Sequence, residues 1–232
     1  MPFSGKPLHA GGSNSLVSTI YSTLFKKWRA RRMADFERII QPRPGERILD
    51  VGGYHATWQN ASFRGCSVDL VNIDSELESK PARALANGLL VREIRGNGCA
   101  LPFTDGSYDI VYSNSVIEHV GSVEDQLAFA REACRVGKRL WIQTPAVACP
   151  IEPHFLGPCI HWVPHRLRPL SARLFSIRGL LGGHSAAQLQ ELVDHTRLIS
   201  RKRLREIFPG CQIHTERLLA IIPKSHIITR VP

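Results

Sequence analysis

The sequence predicts an α/β protein with a mostly parallel sheet and helices on both faces. Four short apolar runs each end in a cluster of polar or small residues, and segments of helical spacing separate the runs. Strands that alternate with helices in this way pair in parallel. The chain has 232 residues, 43% of them hydrophobic, so it can bury one substantial core. The four runs are ERILDVGG, SVDLVNID, YDIVYSNS and RLWIQTPA.

The chain before the first run divides into two parts. Residues 1–14 are rich in Gly, Ser and Pro and predict a flexible arm. Residues 15–40 repeat apolar side chains at helical spacing, which predicts one or two amphipathic helices that cap a pocket. We expect residues 15–232 to form a single domain that includes this cap.

The chain after the fourth run carries a segment that a compact α/β domain does not require. Residues 147–197 combine prolines, which break regular structure, with aromatic residues and arginines. We expect this segment to be an insertion that forms a lid over the substrate. The remaining tail predicts a helix and two strands joined near IIPKS.

Polar residues follow the predicted strands at the positions where an open parallel sheet binds ligands. Such ligands lie outside the carboxyl ends of the strands, near the point where the strand order reverses. Asp74 comes twenty-four positions after Asp50, and an acid about 20 residues beyond a glycine loop suits a ribose diol. Each residue alone has an ordinary structural explanation, but the ordered set favours a nucleoside site. The set is Asp50, Gly52, Gly53, Asp74, Asn97, Ser113, Asn114 and Ser115.

The chain is strongly basic, with a formal net charge of +10. This excess favours an anionic partner such as nucleic acid, an acidic lipid surface or a phosphorylated substrate. Much of the charge lies in FKKWRARR, residues 25–32, and in the arginines between His165 and Arg178. A solvated helix face is the more frequent explanation for such runs.

Two features predict a cytoplasmic protein. The apolar stretches fall short of the ~20 residues that a membrane-spanning helix needs, and MPFSGKPLHAGGSNS lacks the apolar core of a signal peptide. The six cysteines are dispersed without a CxxC pair, so we expect reduced thiols and no metal site. A peripheral position on the inner membrane face, through the basic amino-terminal helix, is the alternative.

The order of four segments resembles the class I S-adenosylmethionine-dependent methyltransferases, in particular the group that methylates quinone precursors and similar small molecules. A bacterial subgroup with a DVGG…W first loop and a PIEPHF…HWVP segment is the most similar. The resemblance is strong over residues 44–165 and weak at the ends. It implies a Rossmann-like, seven-stranded, mostly parallel sheet with an antiparallel edge strand. The segments are ILDVGG, VNID, GNGCALPFTDGSYDIVYSNSVIEHV and REACRVGKRLWIQTP.

The resemblance also implies S-adenosylmethionine as cofactor and S-adenosylhomocysteine as product. By position, Asp50, Gly52 and Gly53 would lie under the methionine portion, Asp74 would hold the ribose, and Asn97 would replace the aspartate that usually lies beside the adenine. Tyr54 stands where the family has a further glycine, and a side chain there would hinder close approach of the backbone to the cofactor. Trp58 would form a wall near the sulfonium or, equally well, pack in the core. The residues expected at the cofactor are Asp50, Gly52, Gly53, Tyr54, Trp58, Asp74, Asn97, Gly98, Ser113 and Asn114.

The chemistry that the resemblance implies needs orientation of the acceptor, exclusion of water and, for a hydroxyl acceptor, a base. His154 and His161, in a cluster with Glu152 after the fourth run, are expected to face the acceptor. His119 is the third candidate, with a structural or cofactor-adjacent position preferred for it.

The predicted function is methyl transfer to a small-molecule, glycan or lipid-linked acceptor, at oxygen. An RNA methyltransferase is an alternative, although SNSV replaces the tetrad that grips an exocyclic base amine, and Cys159 matches a cytosine-C5 nucleophile poorly. A non-catalytic S-adenosylmethionine-binding module is a second alternative, which Tyr54 and Asn97 favour. A lipid surface bound through LFKKWRARR is a third. The sequence selects no oligomeric state.

Overall fold

The computed structural model of the chain describes residues 15–73, 82–152, 157–181 and 185–231, and it confirms the α/β class. The helices are α1 (Ser15–Ile40), α2 (His55–Trp58), α3 (Val123–Val136), α4 (Arg168–Phe175), α5 (Ile177–Leu181), α6 (Ala186–Asp194) and α7 (Arg201–Ile207). The strands are β1 (Arg47–Val51), β2 (Ser67–Asn72), β3 (Arg83–Ala84), β4 (Leu90–Arg95), β5 (Tyr108–Asn114), β6 (Gly137–Pro145), β7 (Ile151–Glu152), β8 (Gly157–Pro158), β9 (Gln212–Leu218) and β10 (Ile222–Arg230).

Eight strands form the main sheet, in the order β3-β4-β2-β1-β5-β6-β10-β9. Strands β4, β2, β1, β5 and β6 are parallel, as the alternating runs predict. The chain moves outward from β1 through β2 to β4 and then returns to β5 on the other side of β1. The strand order therefore reverses between β1 and β5, and the carboxyl ends at this point form the crevice in which such sheets bind ligands.

Antiparallel strands lie at the edges of the sheet, as predicted, but the number of strands differs. Strand β10 is antiparallel to β6 on one side and to β9 on the other, so it lies inside the sheet, and β9 forms the edge. The two-residue strand β3 adds an antiparallel pairing at the opposite edge, which makes eight strands where seven are expected. The tail itself is as predicted, with helix α7 followed by two strands joined just before IIPKS.

Helices cover both faces of the sheet. On one face, the ring of Phe36 from α1 packs edge-on against Tyr112 and Trp141, with centroids 5.2 and 5.7 Å away. The opposite face packs against α3 and α7, where Phe129 and Leu204 are fully buried. The Ser122 side chain accepts a hydrogen bond from the backbone of Asp125, and the Asp125 side chain accepts one from the backbone of Ser122, so a capping box begins α3.

Helix α1 runs antiparallel to the central strands. Its last residue, Ile40, accepts a hydrogen bond from Arg139 near the start of β6, whereas Arg32 contacts Asn114 at the end of β5. A helix rises about 1.5 Å per residue, so residues 15–31 continue beyond the carboxyl edge of the sheet. The predicted segment therefore forms one helix, within the one or two expected, and its second half packs on the sheet. The cap over the pocket stays a prediction for its first half.

The segment predicted to be a lid forms a small subassembly beside the carboxyl end of β6. It contains the β7–β8 hairpin, two 3-10 turns and helices α4 to α6. Five apolar residues form its own buried cluster: Ile160, Ala172, Leu189, Leu192 and Val193. In the part of the chain that the structure describes, no helix is both long and apolar enough to span a bilayer.

Candidate active site

The loop after β1 contains two positions that exclude a side chain. Gly52 has a φ of +76°, and a Cβ atom there would overlap the side chain of Val116. A Cβ atom on Gly53 would overlap the carboxylate of Asp50. Tyr54 follows with φ −133° and ψ 148°, an extended conformation that any residue adopts, and is 45% exposed. The absence of a third glycine is therefore compatible with this loop.

Asp50 lies buried beneath this loop. Its Oδ2 accepts a hydrogen bond from Nε1 of Trp58 at 2.8 Å, whereas Oδ1 is buried and has no hydrogen-bond partner among the described residues. Burial raises the pKa of Asp50 to about 7, and the bond from Trp58 only partly opposes this shift. An added cation or donor above the loop would therefore stabilise the ionised carboxylate.

The sequence allows Trp58 to lie either near the sulfonium or in the core, and the structure places it in the core. Its side chain is fully buried and packs against Phe36 and Tyr112, with ring centroids 6.0 and 5.1 Å away. The indole therefore contributes to the core and supports Asp50 from below. It has no exposed surface with which to form a wall of the cofactor site.

The polar residues that end β5 have structural partners. The Oγ atom of Ser113 is fully buried and donates to the carbonyl of Val51 at 2.9 Å, which ties β5 to β1. The Oδ1 atom of Asn114 accepts a hydrogen bond from Arg32 at 2.6 Å. Ser113 therefore shapes the site from behind, while Asn114 connects the strand end to helix α1.

The loop after β4 brings Asn97 and Gly98 to the same edge of the sheet. The exposed side chain of Asn97 accepts a hydrogen bond from the backbone of Cys99 at 2.9 Å, and an amide oxygen can accept one more. A Cβ atom on Gly98 would lie 2.8 Å from Val51 and 3.0 Å from the ring of Phe129. The loop can therefore pack closely against β1 only with glycine at this position.

Asp74 lies outside the described residues, so its place at the ribose stays a prediction. At the end of β2, the side chain of Asn72 donates to the carbonyl of Gly53 at 2.9 Å and so joins β2 to the glycine loop. Asn72 was not among the residues predicted at the site, although its position as a polar residue at the end of an apolar run was the available signal.

The three histidines considered as bases differ in what the structure shows. His154 lies outside the described residues. The Nε2 atom of His161 hydrogen-bonds the carbonyl of Val147 at 2.8 Å, and its Nδ1 is buried. Because a carbonyl only accepts, Nε2 of His161 carries a proton. Nδ1 of His119 likewise donates to the carbonyl of His195 at 3.1 Å, so His119 holds the turn after β5 against the segment after α6.

A cleft of about 280 Å³ lies within the lid segment. Val147, which follows β6, lines it together with titratable and basic residues of the lid and of the segment after α6: His161, His165, Asp194, Arg168 and Arg197. Within it, Nε2 of His165 lies 3.2 Å from Oδ1 of Asp194. Val147, two residues after β6, connects this cleft to the carboxyl end of that strand.

A second cleft, of about 300 Å³, lies at the amino ends of the parallel strands. It is lined at the amino ends of β5 and β6 by residues that pair with each other. Lys138 contacts Asp109 at 2.8 Å, and Arg139 pairs with Glu46. These contacts stabilise the fold. The cleft lies at the amino ends of the strands, whereas the predicted site residues follow the carboxyl ends.

The comparisons with known proteins agree with this geometry. Residues 49–140, from β1 to β6, match the methyltransferase domain family. An uncharacterized methyltransferase of Mycobacterium sp. (strain JLS) is 36% identical over 96 residues, which cover 39% of this chain and 36% of that protein. The matched part therefore spans about a third of the length of that relative.

Two solved structures share the fold over nearly the whole chain. One, described as a "possible exported protein" of Bordetella parapertussis, has a TM-score of 0.56 and 16% identity, covering 97% of this chain and 76% of that chain. Magnesium protoporphyrin IX methyltransferase of Synechocystis PCC 6803, with bound S-adenosylhomocysteine, has a TM-score of 0.53 and 14% identity, covering 97% and 91%. At these identities, the similarity shows only that the two structures share the fold of this chain.

The strand order and the glycine loop at its reversal agree with the match of residues 49–140 to the methyltransferase domain family. Together these findings support a class I S-adenosylmethionine-dependent methyltransferase. Membership of the narrower subgroup with the DVGG…W and PIEPHF…HWVP segments stays a prediction.

Proposed function

We propose that the chain transfers a methyl group from S-adenosylmethionine to the oxygen of a small-molecule, glycan or lipid-linked acceptor. The observation that carries this proposal is the loop after β1, where Gly52 and Gly53 exclude side chains above the buried carboxylate of Asp50. The loop lies where the strand order reverses, which is where this type of sheet binds nucleosides.

The residues present fit the cofactor. Its methionine portion carries an ammonium group, and Asp50 offers a buried carboxylate oxygen without a partner among the described residues. A cation near this oxygen would offset the cost of burying the charge. Asp74 and Asn97 are the proposed contacts of the ribose and the adenine, as the resemblance implies. Ser113 and Trp58 support these contacts from behind.

The cofactor, when bound, supplies a methyl group already activated on its sulfonium. The protein then has to position the acceptor, exclude water and receive the proton of its hydroxyl group. The cleft within the lid, which Val147 connects to the carboxyl end of β6, provides the proposed place for the acceptor. His161 anchors the lid there through Val147, so accepting a proton at Nε2 would first require that anchor to break. We therefore assign His161 to positioning and His154 to proton transfer.

Cofactor binding is tested by titration calorimetry of the folded chain with S-adenosylhomocysteine. We expect measurable binding, and Asp74→Ala should weaken it about tenfold or more, because it removes an ionised acceptor of ribose hydrogen bonds. No heat with a folded protein would refute the cofactor assignment. Unchanged affinity of Asp74→Ala would place the ribose carboxylate elsewhere, with Glu76 the next candidate.

The acceptor class is tested with labelled S-adenosylmethionine and cell extracts fractionated into small molecules, glycans, lipids and RNA. We expect label in a non-RNA fraction. Label confined to RNA would favour the alternative of an RNA methyltransferase. Cofactor binding without any labelled product would favour a non-catalytic binding module.

The roles of the histidines are tested by His154→Ala and His161→Ala, with His214→Ala as the matched control. His214 lies on β9 and hydrogen-bonds Thr229, away from the lid. Loss of a general base costs about 10²- to 10⁴-fold in turnover, so His154→Ala should show a loss of this size with cofactor affinity unchanged. His161→Ala should mainly raise KM for the acceptor. Full turnover of both variants would refute the acceptor site at the lid.

A further inference from the structure

A buried polar cluster lies where α1 crosses the carboxyl ends of β5 and β6, and the proposed reaction does not use it. Arg32 donates to Asn114 at 2.6 Å and to Oε2 of Glu216 at 2.9 Å. Lys224 lies 3.7 Å from the same carboxylate oxygen, and its Nζ is 4.3 Å from the ring centroid of Trp28. We call these five residues the Arg32 cluster.

The Arg32 cluster contains more positive than negative charge. Arg32 and Lys224 share the single carboxylate of Glu216, and the side chains of these three residues are only 10, 15 and 16% exposed. Helix α1 cannot supply the missing negative charge from its first half, since the first acidic residue of the chain is Asp35. Among the residues that the structure describes, the cluster therefore holds one buried positive charge in excess.

Two further observations show that the excess charge is poorly compensated. The Nε atom of Arg32 is buried and has no hydrogen-bond partner among the described residues, and Arg32 as a whole is 8% exposed. Burial lowers the pKa of Lys224 even though Glu216 opposes the shift, and the neighbouring Arg32 lowers it further. A buried cation with an incomplete counter-charge is costly unless an anion completes the site.

The position of the Arg32 cluster connects it to the acceptor side of the crevice. Asn114 is the last residue of β5, and the backbone carbonyl of Lys224 accepts a hydrogen bond from Ala146, directly after β6, at 3.0 Å. The proposed cofactor contacts instead follow β1, β2 and β4. An anion held by Lys224 would therefore lie beside the ends of β5 and β6, where the acceptor is expected.

We propose that the Arg32 cluster recognises an oxyanionic group, a phosphate or a carboxylate, on the methyl acceptor. Lys224 would supply the point charge and Arg32 a donor already held in place by Asn114 and Glu216. This inference rests on the proposed function and narrows its acceptor to an anionic compound.

The first test measures binding of inorganic phosphate and of acetate to the full chain, by thermal unfolding at constant ionic strength maintained with chloride. A ligand that binds only the folded state raises Tm with a saturable concentration dependence. We expect such a curve for the wild type with at least one of the two anions. Lys224→Gln should weaken it about tenfold, the typical effect of losing one charged hydrogen bond.

The matched control is Lys138→Gln. Lys138 also pairs with a carboxylate, that of Asp109, but at the amino edge of the sheet. Its replacement should leave the anion response unchanged. Equal responses of the wild type, Lys224→Gln and Lys138→Gln would overturn the proposal, as would no saturable response of the wild type to either anion.

Glu216→Gln should change the affinity for the anion in the opposite direction to Lys224→Gln. Removing the only carboxylate of the cluster increases its excess positive charge, so this variant should bind the anion more tightly than the wild type. The variant therefore tests the proposal even if Lys224→Gln fails to fold. Weaker binding of the anion by a folded Glu216→Gln protein would contradict the charge argument.

Binding to lipid vesicles distinguishes a lipid-linked acceptor from a soluble one. Binding to phosphatidylglycerol vesicles but not phosphatidylcholine vesicles, lost in Lys224→Gln, would support a lipid-linked acceptor. Binding of phosphate or acetate in solution without vesicle binding would support a soluble acceptor. Vesicle binding that Lys224→Gln leaves unchanged, with no response to the free anions, would overturn the proposal and assign the basic charge to the helix surface.

Calorimetry with S-adenosylhomocysteine separates this inference from the proposed function. Cofactor binding together with no anion response would refute the anion site alone. No cofactor binding by the wild type would refute the proposed function, whereas the saturable anion response and its loss in Lys224→Gln would still support the site as an anion-binding site.

Discussion

Replacing Asp50 by Asn should change how the stability of the protein depends on pH. Asp50 is 1% exposed, its Oδ1 has no partner among the described residues, and burial raises its pKa to about 7 from an ordinary value of 3.8. In the unfolded chain the carboxyl therefore ionises near its ordinary value, whereas in the folded protein it ionises only around neutral pH. Between these two values the folded state binds more protons than the unfolded state.

The sign and size of the effect follow from this difference. Where the folded state binds more protons, the free energy of unfolding falls as pH rises. A shift of about 3 pKa units corresponds to about 4 kcal/mol. The contribution of Asp50 should thus be fully retained below about pH 4, decline through the interval and be lost above about pH 8. This is a large fraction of the ~5–15 kcal/mol stability of a typical domain.

The assay is urea unfolding of the wild type and Asp50→Asn at several pH values between about 4 and 8. Asn keeps an acceptor for Trp58 but cannot ionise. The Asn amide has no ionisable proton, so any cost of placing it at the buried position of Oδ1 is independent of pH. We expect the difference in unfolding free energy, Asp50→Asn minus wild type, to increase by about 4 kcal/mol from low to high pH.

Trp58→Phe tests the same reasoning from the other partner. This change removes the hydrogen bond that lowers the pKa of Asp50, so the midpoint of the pH dependence should move to higher pH. Parallel stability profiles for the wild type and Asp50→Asn would refute the assignment of the pH dependence to Asp50. Bound S-adenosylhomocysteine should reduce the effect, because its ammonium group would stabilise the ionised carboxylate.

Two further predictions concern residues around the sheet. Cys134 should react with iodoacetamide faster than Cys99 near neutral pH, because a hydrogen bond from Cys211 lowers the pKa of Cys134 while burial raises that of Cys99 to about 11. Peptide mass spectrometry of the labelled native protein measures both rates, and equal rates would contradict the prediction. Gly98→Ala should destabilise the protein by about 1–3 kcal/mol in urea unfolding, because the added methyl would lie 2.8 Å from Val51. Unchanged stability would show that the loop after β4 can move away from β1.

The sequence predicted the parts of this protein that local patterns encode. Apolar runs that end in polar clusters mark the parallel strands. Both signals, the spacing of the apolar residues and the polar residues that end each run, lie within a few neighbouring residues. Gly52 and Gly53 were also identifiable, because steric exclusion at a tight loop restricts the residue type at the position itself. The same local information left Trp58 undecided between the core and the cofactor.

Only the tertiary structure decided the contacts between segments that are distant in the chain. The packing of α1 and β5 places Trp58 against Phe36 and Tyr112 and so assigns it to the core. Pairing on both sides places β10 inside the sheet and leaves β9 at the edge. Arg32 meets Asn114 across 82 positions and Glu216 across 184, and no local pattern encodes such pairs. They arise because the core and the sheet fix the backbone of α1, β5 and β9 first, and the buried polar side chains must then find partners where that packing brings them together.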